Sequence, residues 1–135
     1  TLFRSHVPDY YLKNVDYLIM NEVEAEFMCD AVNLTDTISM ATAISQQKKL
    51  IAILTQGKNG CTLASNGNIN HFPAFKINAV DTTAAGDTFI GYLAAGIASP
   101  DSSIESAIQT ASKAASICCT REGSQPSIPF SIVLG

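Results

Sequence analysis

The stretch of this chain best suited to chemistry is a run of small residues that leads into an aspartate. Residues 80–89 read VDTTAAGDTF, and the pattern that follows predicts a helix from about Gly86 to Ala98. The small residues Ala84, Ala85 and Gly86 let the backbone approach a ligand closely. A helix start also presents unpaired N–H groups and the positive end of the helix dipole. The stretch therefore suits a phosphate, and the charge that develops on it during transfer.

Asp87 places a proton acceptor at the same helix start. An aspartate carboxylate is ionised near neutral pH, so it could take a proton from an attacking hydroxyl. The competing interpretation is an ordinary junction between a loop and a helix, because acidic residues are common in a first turn. Residue spacing alone leaves both interpretations open.

The elements that must position this stretch alternate between strands and helices. A hairpin turn is predicted at Asn66-Gly67, an N-cap at Asp36, and a capping box at Ser102 and Glu105. The predicted strands are Val15–Met20, Leu50–Leu54, Cys61–Ala64 and Asn68–Phe72, and the predicted helices are Glu22–Met28, Thr37–Lys48, Gly86–Ala98 and Ser103–Cys119. This alternation predicts an α/β fold with a mostly parallel sheet covered on both faces, to which the hairpin adds an antiparallel piece.

Composition narrows the class of protein. The chain has 135 residues, 47% of them hydrophobic and 15% charged, which indicates one globular domain, or part of one, over residues 1–135. The net charge of −4 and the lack of a basic run argue against a nucleic-acid partner, and no apolar stretch is long enough to span a membrane. The four cysteines show no metal-binding spacing, so we expect reduced thiols and a cytoplasmic location.

Residues 81–89, DTTAAGDTF, resemble the C-terminal signature of the PfkB family of carbohydrate kinases, D-T-x-x-A-G-D, and especially its ribokinase-like form. Three further matches occur in family order. NEVE at 21–24 matches N-x-x-E, TQGKNG at 55–60 matches T-x-G-x-x-G, and TREGSQPS at 120–127 resembles the segment after the last long helix. The resemblance implies a ribokinase-like three-layer α/β/α fold, of which this chain is the C-terminal, nucleotide-binding part.

The resemblance also implies roles for individual residues. Asp87 is the expected catalytic base, and Ala84, Ala85 and Gly86 are expected to form the anion hole. Asn21 and Glu24 are expected near Mg²⁺ and the phosphates, largely through water, although a solvated helix residue is the simpler interpretation of Glu24. The expected ATP-binding residues are Thr55, Gly57, Lys58, Asn59 and Gly60, with Ser112 as a weaker candidate near the adenine and ribose. A tight turn would also explain the two glycines, and Ser112 could equally be a core or surface serine.

A K⁺ site is the last implication of the resemblance. Its expected ligands are the Asp81 carboxylate and the carbonyls of Thr83, Cys118, Arg121 and Gly123, with Ser127 nearby. A turn-forming aspartate is the simpler interpretation of Asp81.

The function implied is in-line transfer of the γ-phosphoryl group of ATP to a sugar hydroxyl, with D-ribose as the favoured acceptor. Another sugar or a nucleoside is an alternative acceptor, and a non-catalytic nucleotide-binding or interaction fragment is an alternative function. The sugar-binding segments of the family precede the part that this chain resembles. We therefore expect the chain to form a homo-oligomer or to associate with a missing N-terminal half.

Overall fold

Apolar runs separated by helix caps and glycine turns set the order of elements in this chain. The computed structural model describes residues 12–76 and 84–120. The chain divides into two compact units, residues 1–73 and residues 74–135. Within the described residues, the first unit holds a sheet with two helices, and the second holds a pair of helices.

The first unit runs strand, helix, helix, strand, strand, strand, with a 3₁₀ turn at Gly57–Asn59 between its second and third strands. Its elements are β1 (Tyr17–Met20), α1 (Glu22–Val32), α2 (Thr37–Lys48), β2 (Ile51–Thr55), β3 (Cys61–Ser65) and β4 (Asn68–Phe72). The second unit contains α3 (Ala85–Ala98) and α4 (Ile104–Cys119). No helix in these described ranges is both long enough and apolar enough to cross a membrane.

Side-chain caps explain where α2 and α4 begin. The Asp36 carboxylate accepts hydrogen bonds from the backbone N–H groups of Ile38 at 3.3 Å and Ser39 at 3.2 Å, which confirms the predicted cap of α2. The prediction for α4 is wrong by one residue. Ser103, and not Ser102, is the N-cap, and its hydroxyl accepts from the N–H of Ser106 at 3.1 Å. Either serine has a hydroxyl suited to capping, so residue type alone did not choose between them.

The sheet of the described residues is mixed, with one parallel pairing, the antiparallel hairpin that the sequence predicted, and a second antiparallel pairing. Its order is β1-β2-β3-β4, with β1 parallel to β2 and both later pairings antiparallel. The α1–α2 connection carries the chain back over the sheet and so allows a parallel partner. The short connections on either side of β3 allow it to pair only in the antiparallel direction with β2 and β4. Asn66 and Gly67 have φ angles of 51° and 80°, as a two-residue hairpin turn requires, which confirms the predicted turn.

One core of the first unit lies between this sheet and its two helices. Its fully buried members include Met40 and Ile44 of α2 and Ala52 and Leu54 of β2. Because side chains alternate along a strand, Ile53 points to the opposite face of the sheet, where it is also fully buried. Both faces of β2 are thus covered, as its continuous apolar sequence predicts.

The second unit depends on a close approach of its two helices. Leu93 of α3 and Ile108 of α4 are fully buried. A Cβ placed on Gly96 would lie 2.6 Å from the Cβ of Ala107, so only a glycine fits α3 against α4 at this point. The small residues that face each other here set the separation of the two helices.

Candidate functional site

The start of α3 is a helix N-terminus to which the described residues supply no side-chain cap. Ala84 is the N-cap residue and offers no side-chain hydrogen bond, although its carbonyl accepts from the N–H of Thr88 at 2.9 Å. The N–H groups of the first turn have no acceptor within the helix. A Cβ built on Gly86 meets no heavy atom of the described residues within 4 Å, so these residues leave the space beside Gly86 open. Ala84 itself is buried, so Ala85 and Gly86 present the accessible part of the turn on which the anion-hole prediction depends.

Asp87 lies in this first turn and is exposed, so its carboxylate is accessible to a substrate hydroxyl. The next residue, Thr88, is only 3% exposed, and none of the described residues supplies a hydrogen-bond partner for its hydroxyl. A buried hydroxyl without a partner is uncommon, and it lies directly beside the proposed catalytic residue.

The loop after β2 contains four of the predicted ATP-binding residues, Gly57, Lys58, Asn59 and Gly60. The Gln56 N–H donates to the Gly60 carbonyl at 2.8 Å, and the Asn59 N–H donates to the Gln56 carbonyl at 3.0 Å. Gly57 has a φ of 56° and Gly60 a φ of 90°, which side chains rarely permit. These bonds close a compact loop, which we call the Gln56–Gly60 loop, and Gly57, Lys58 and Asn59 are exposed on it.

Asn21 and Glu24 form a capping box at the start of α1. The Asn21 Oδ1 accepts from the N–H of Glu24 at 2.8 Å, and the Glu24 Oε2 accepts from the N–H of Asn21 at 3.0 Å. Local capping therefore accounts for the N-x-x-E spacing by itself. It leaves the other Glu24 oxygen, on an exposed side chain, for a ligand.

The first unit brings Asn21 and Thr55 to one end of its sheet. Met20 of β1 pairs with Leu54 of β2 in parallel, so Asn21 and Thr55 both lie at the carboxyl ends of their strands. The Thr55 hydroxyl donates to the Met20 carbonyl at 3.3 Å and ties these two ends together. Ligands of open α/β sheets bind outside the carboxyl ends of strands, and the capping box and the Gln56–Gly60 loop both begin at this end of the sheet.

The remaining predicted residues belong to the second unit. Ser112 is half-buried on α4, and Cys118 is buried in the last turn of the same helix. The Cys118 carbonyl accepts from the N–H of Thr120, and helix-end carbonyls have few donors within the helix. The other predicted K⁺ ligands lie outside the described residues: Asp81, Thr83, Arg121, Gly123 and Ser127.

Sequence reasoning missed a polar group beside the Gln56–Gly60 loop. The buried hydroxyl of Thr62 donates to the Gln56 Oε1 at 2.9 Å and lies 3.1 Å from the Nδ1 of His71. The sequence carried a signal for the pair of Thr62 and His71 alone, because the two-residue turn at Asn66-Gly67 fixes the register that places them opposite each other.

The family model described as pfkB family carbohydrate kinase matches residues 3–131. This chain belongs to that family. The pfkB match includes both sheet and helix units, and it covers every predicted site residue.

Relatives and solved structures agree with the pfkB assignment. The chain is 33% identical to a ribokinase of Staphylococcus aureus and 32% identical to a fructokinase of Klebsiella pneumoniae, over 92% and 90% of this chain. It spans 41% of the length of each of these proteins. The crystal structure of a ribokinase from Thermotoga maritima matches 96% of this chain and 44% of that one, with a TM-score of 0.87 and 32% identity. The ribokinase-like fold predicted from the sequence is confirmed.

Proposed function

We propose that this chain carries the nucleotide-binding and catalytic part of an ATP-dependent sugar kinase. The observation that carries the proposal is the start of α3, where the exposed Asp87 adjoins a turn of small residues that the described residues leave without a side-chain cap, in a pfkB family chain. An anion site and a proton acceptor on one helix turn are the two groups that phosphoryl transfer to a hydroxyl needs.

D-Ribose is the acceptor we propose, and the product is then ribose 5-phosphate. Ribokinases appear among both the sequence relatives and the structural neighbours, and one neighbour is an Arabidopsis thaliana ribokinase complexed with ribose and ATP, at 27% identity and a TM-score of 0.79. Fructokinases are nearly as similar, at 32% identity, so a different sugar is the closest competing acceptor.

The proposed reaction uses the two features of the α3 start in turn. The first-turn N–H groups, including those of Ala85 and Gly86, hold oxygens of the transferring γ-phosphoryl group. The Asp87 carboxylate accepts the proton of the sugar hydroxyl as that oxygen bonds to phosphorus and the ADP oxygen leaves. The exposure of Asp87 and the open space beside Gly86 support this arrangement.

We assign nucleotide binding to the carboxyl end of the sheet and to α4. Thr55, Gly57, Lys58, Asn59 and Gly60 would line the ATP site, with the exposed Lys58 as a cation for phosphate, and Ser112 would lie near the adenine and ribose. Asn21 and Glu24 would act toward Mg²⁺ through water. A single free carboxylate oxygen suits this ion, because Mg²⁺ keeps several of its waters and uses few protein ligands. When bound, Mg²⁺ would neutralise charge on the phosphates.

A K⁺ ion is proposed beside the anion hole. Its ligands would be the residues already predicted, Asp81, Thr83, Arg121, Gly123 and Ser127, together with the Cys118 carbonyl. The position of that carbonyl in the last turn of α4 fits the role, because oxygen atoms of this kind suit a hard monovalent cation.

Replacing the proposed base tests the function. We expect Asp87→Asn, in a catalytically competent protein that contains this chain, to lower kcat by roughly 10²-fold or more while the Kd for ATP stays largely unchanged. The matched control is Asp101→Asn, another exposed aspartate of the second unit, which should leave kcat unaltered. Turnover near the wild-type value in Asp87→Asn would exclude Asp87 as the base.

A non-catalytic nucleotide-binding or interaction fragment is the second candidate function, because the chain spans 41% of its relatives' length. Calorimetric titration with Mg²⁺ and ATP, with and without K⁺, tests whether the chain binds nucleotide. A kinase and a nucleotide-binding fragment would both bind it, whereas an interaction fragment would not. Binding that strengthens with K⁺ would support a formed nucleotide site. No binding to a folded sample would favour the interaction fragment. We propose the cytoplasm as the compartment, since all four cysteines are reduced.

A further inference from the structure

Three polar side chains, Gln56, Thr62 and His71, form a directed chain of hydrogen bonds. A hydroxyl has one proton, and that of Thr62 is donated to the Gln56 Oε1 at 2.9 Å. The contact of 3.1 Å between the Thr62 oxygen and the His71 Nδ1 is then a hydrogen bond only if Nδ1 carries a proton. Because the Thr62 proton is donated to Gln56, we assign the proton of the second contact to the His71 Nδ1, so that His71 donates to Thr62. We call this arrangement the His71–Thr62–Gln56 relay.

Gln56 connects the relay to the loop that we assign to the nucleotide. Its side chain is held by Thr62, while its backbone N–H bonds to the Gly60 carbonyl at 2.8 Å and its carbonyl accepts from Asn59 at 3.0 Å. Both ends of the loop are thus fixed at one residue. The anchor itself is rigid, since Thr62 is 1% exposed and lies in a strand paired on both sides.

An anchor matters for the Gln56–Gly60 loop because its two glycines make the loop costly to order. Gly57 and Gly60 have φ angles of 56° and 90°, and glycine loses more backbone freedom on ordering than any other residue. A loop that is already ordered does not lose that freedom again when a ligand binds, so its affinity is higher.

We propose that Thr62 and His71 are positioning residues for nucleotide binding, and that the His71–Thr62–Gln56 relay holds the Gln56–Gly60 loop in its binding conformation. Neither side chain needs to touch the nucleotide. The proposal rests on the proposed function, because that function assigns the loop to ATP.

The first test compares nucleotide affinities. Thr62→Val keeps the shape and the preference for a strand but removes the hydroxyl, and Thr62→Ser restores the hydroxyl. The control is Thr42→Val, which removes a hydroxyl bonded at 2.7 Å to the Ile38 carbonyl within α2. For Mg²⁺-ATP by calorimetry, we expect Thr62→Val to raise Kd about 3- to 10-fold, with Thr62→Ser and Thr42→Val within about 2-fold of wild type. An unchanged Kd in Thr62→Val would overturn the proposal.

The second test needs no nucleotide. In Thr62→Val, amide hydrogen exchange at Gln56 and Gly60 should be about 10-fold faster, while exchange in α2 stays unchanged. Nitrogen NMR of the wild-type imidazole should show a proton on Nδ1 of His71. His71→Ala, at an exposed position that folding tolerates, should speed exchange at the same amides.

These readouts separate failure of the relay from failure of the proposed function. Unchanged amide exchange in both variants, or a His71 Nδ1 without a proton, would overturn the relay even if ATP binds. A folded wild-type chain that shows the relay but does not bind ATP would overturn the proposed function and, with it, the positioning role. In a catalytically competent protein, Thr62→Val should raise the KM for ATP and leave kcat unchanged, unlike Asp87→Asn.

Discussion

Asp36 shows how one side chain can make a helix start depend on pH. Its carboxylate accepts from the Ser39 hydroxyl at 2.7 Å and from the backbone N–H groups of Ser39 and Ile38. These hydrogen bonds, with that of the Ser39 hydroxyl the largest, lower the pKa of Asp36 below its ordinary value of 3.8. The charged form is therefore favoured in the folded chain.

The pKa shift predicts the sign of a pH effect on stability. Because the folded pKa of Asp36 is lowered, its contribution to the free energy of unfolding is present above pH 3.8 and is lost as the pH falls through the folded pKa. Asp36→Asn removes the titrating group, so we expect a shallower loss of stability in acid, followed by thermal unfolding at stepwise pH. The control is Asp30→Asn, an exposed aspartate of α1. Equal pH dependence in wild type and Asp36→Asn would contradict the assignment.

The N-x-x-E motif at residues 21–24 has two explanations. The spacing of Asn21 and Glu24 satisfies a capping box, and the resemblance gives the same two residues a role near Mg²⁺. The two roles are compatible, because the capping box occupies only one oxygen of the Glu24 carboxylate.

At the scale of elements, the contact between α3 and α4 is the most sensitive to substitution. A helical Gly→Ala change normally stabilises a protein by about 0.5–1 kcal/mol. At Gly96 the new Cβ would lie 2.6 Å from the Ala107 Cβ and 3.1 Å from its Cα, so the helices must separate.

Two glycines of α3 therefore give opposite predictions. We expect Gly96→Ala to lower the free energy of unfolding by about 1–3 kcal/mol, because it overpacks the helix contact. Gly91→Ala should raise it by about 0.5–1 kcal/mol, because a Cβ there meets no atom within 4 Å. Denaturant unfolding of both variants checks the pair. A stabilising Gly96→Ala would show that the two helices are not packed as described.

The sequence predicted elements well where the signal was local. Thr37–Lys48 was predicted with the bounds that α2 has, because Asp36 caps one end and the other end reaches two lysines. The Asn66-Gly67 turn likewise specifies its own hairpin. The antiparallel pairing of β3 with β4 was predicted from that turn, whereas the antiparallel pairing of β2 with β3 was not, because it depends on the Gln56–Gly60 loop that joins the two strands. The contact between Gly96 and Ala107 was not predicted, because it lies between two helices and the sequence of neither helix specifies how they pack.

The candidate site likewise has parts that the sequence predicted and one part that it did not. The uncapped turn at Ala84–Asp87 and the loop at Thr55–Gly60 follow from short sequence patterns. The partner of Gln56 does not, since the pattern of a buried strand gives no reason to expect a hydroxyl hydrogen bond from Thr62. Only the register of β2, β3 and β4 brings Thr62 and its two partners together.

At the scale of the whole molecule, apolar side chains remain at the surface of the first unit. Val23 and Phe27, one helical turn apart on α1, are 75% and 57% exposed, and Tyr17 of β1 is 38% exposed. Exposed apolar groups at helix spacing are typical of a surface that is covered by another chain or segment. They support the proposal that this chain associates with itself or with a further part of a pfkB kinase.

Self-association of the chain is directly measurable. We expect concentration-dependent sedimentation, and Val23→Glu should weaken association about tenfold or more, because burial of a valine contributes about 1.5 kcal/mol or more. Gln47→Glu adds the same charge at an exposed position of α2 and serves as the control. A clean monomer with cooperative unfolding at all concentrations would count against the association.

The order β1-β2-β3-β4 has a kinetic consequence, because each strand pairs with its neighbour along the chain. The pairing of β3 with β4 closes a loop of two residues, whereas that of β1 with β2 must wait for the whole α1–α2 connection to be in place. Loop closure costs more entropy for longer segments, so the three-stranded meander should form early in refolding and β1 should dock late. The Thr62 anchor and its loop would then be assembled before the end of β1 arrives beside them.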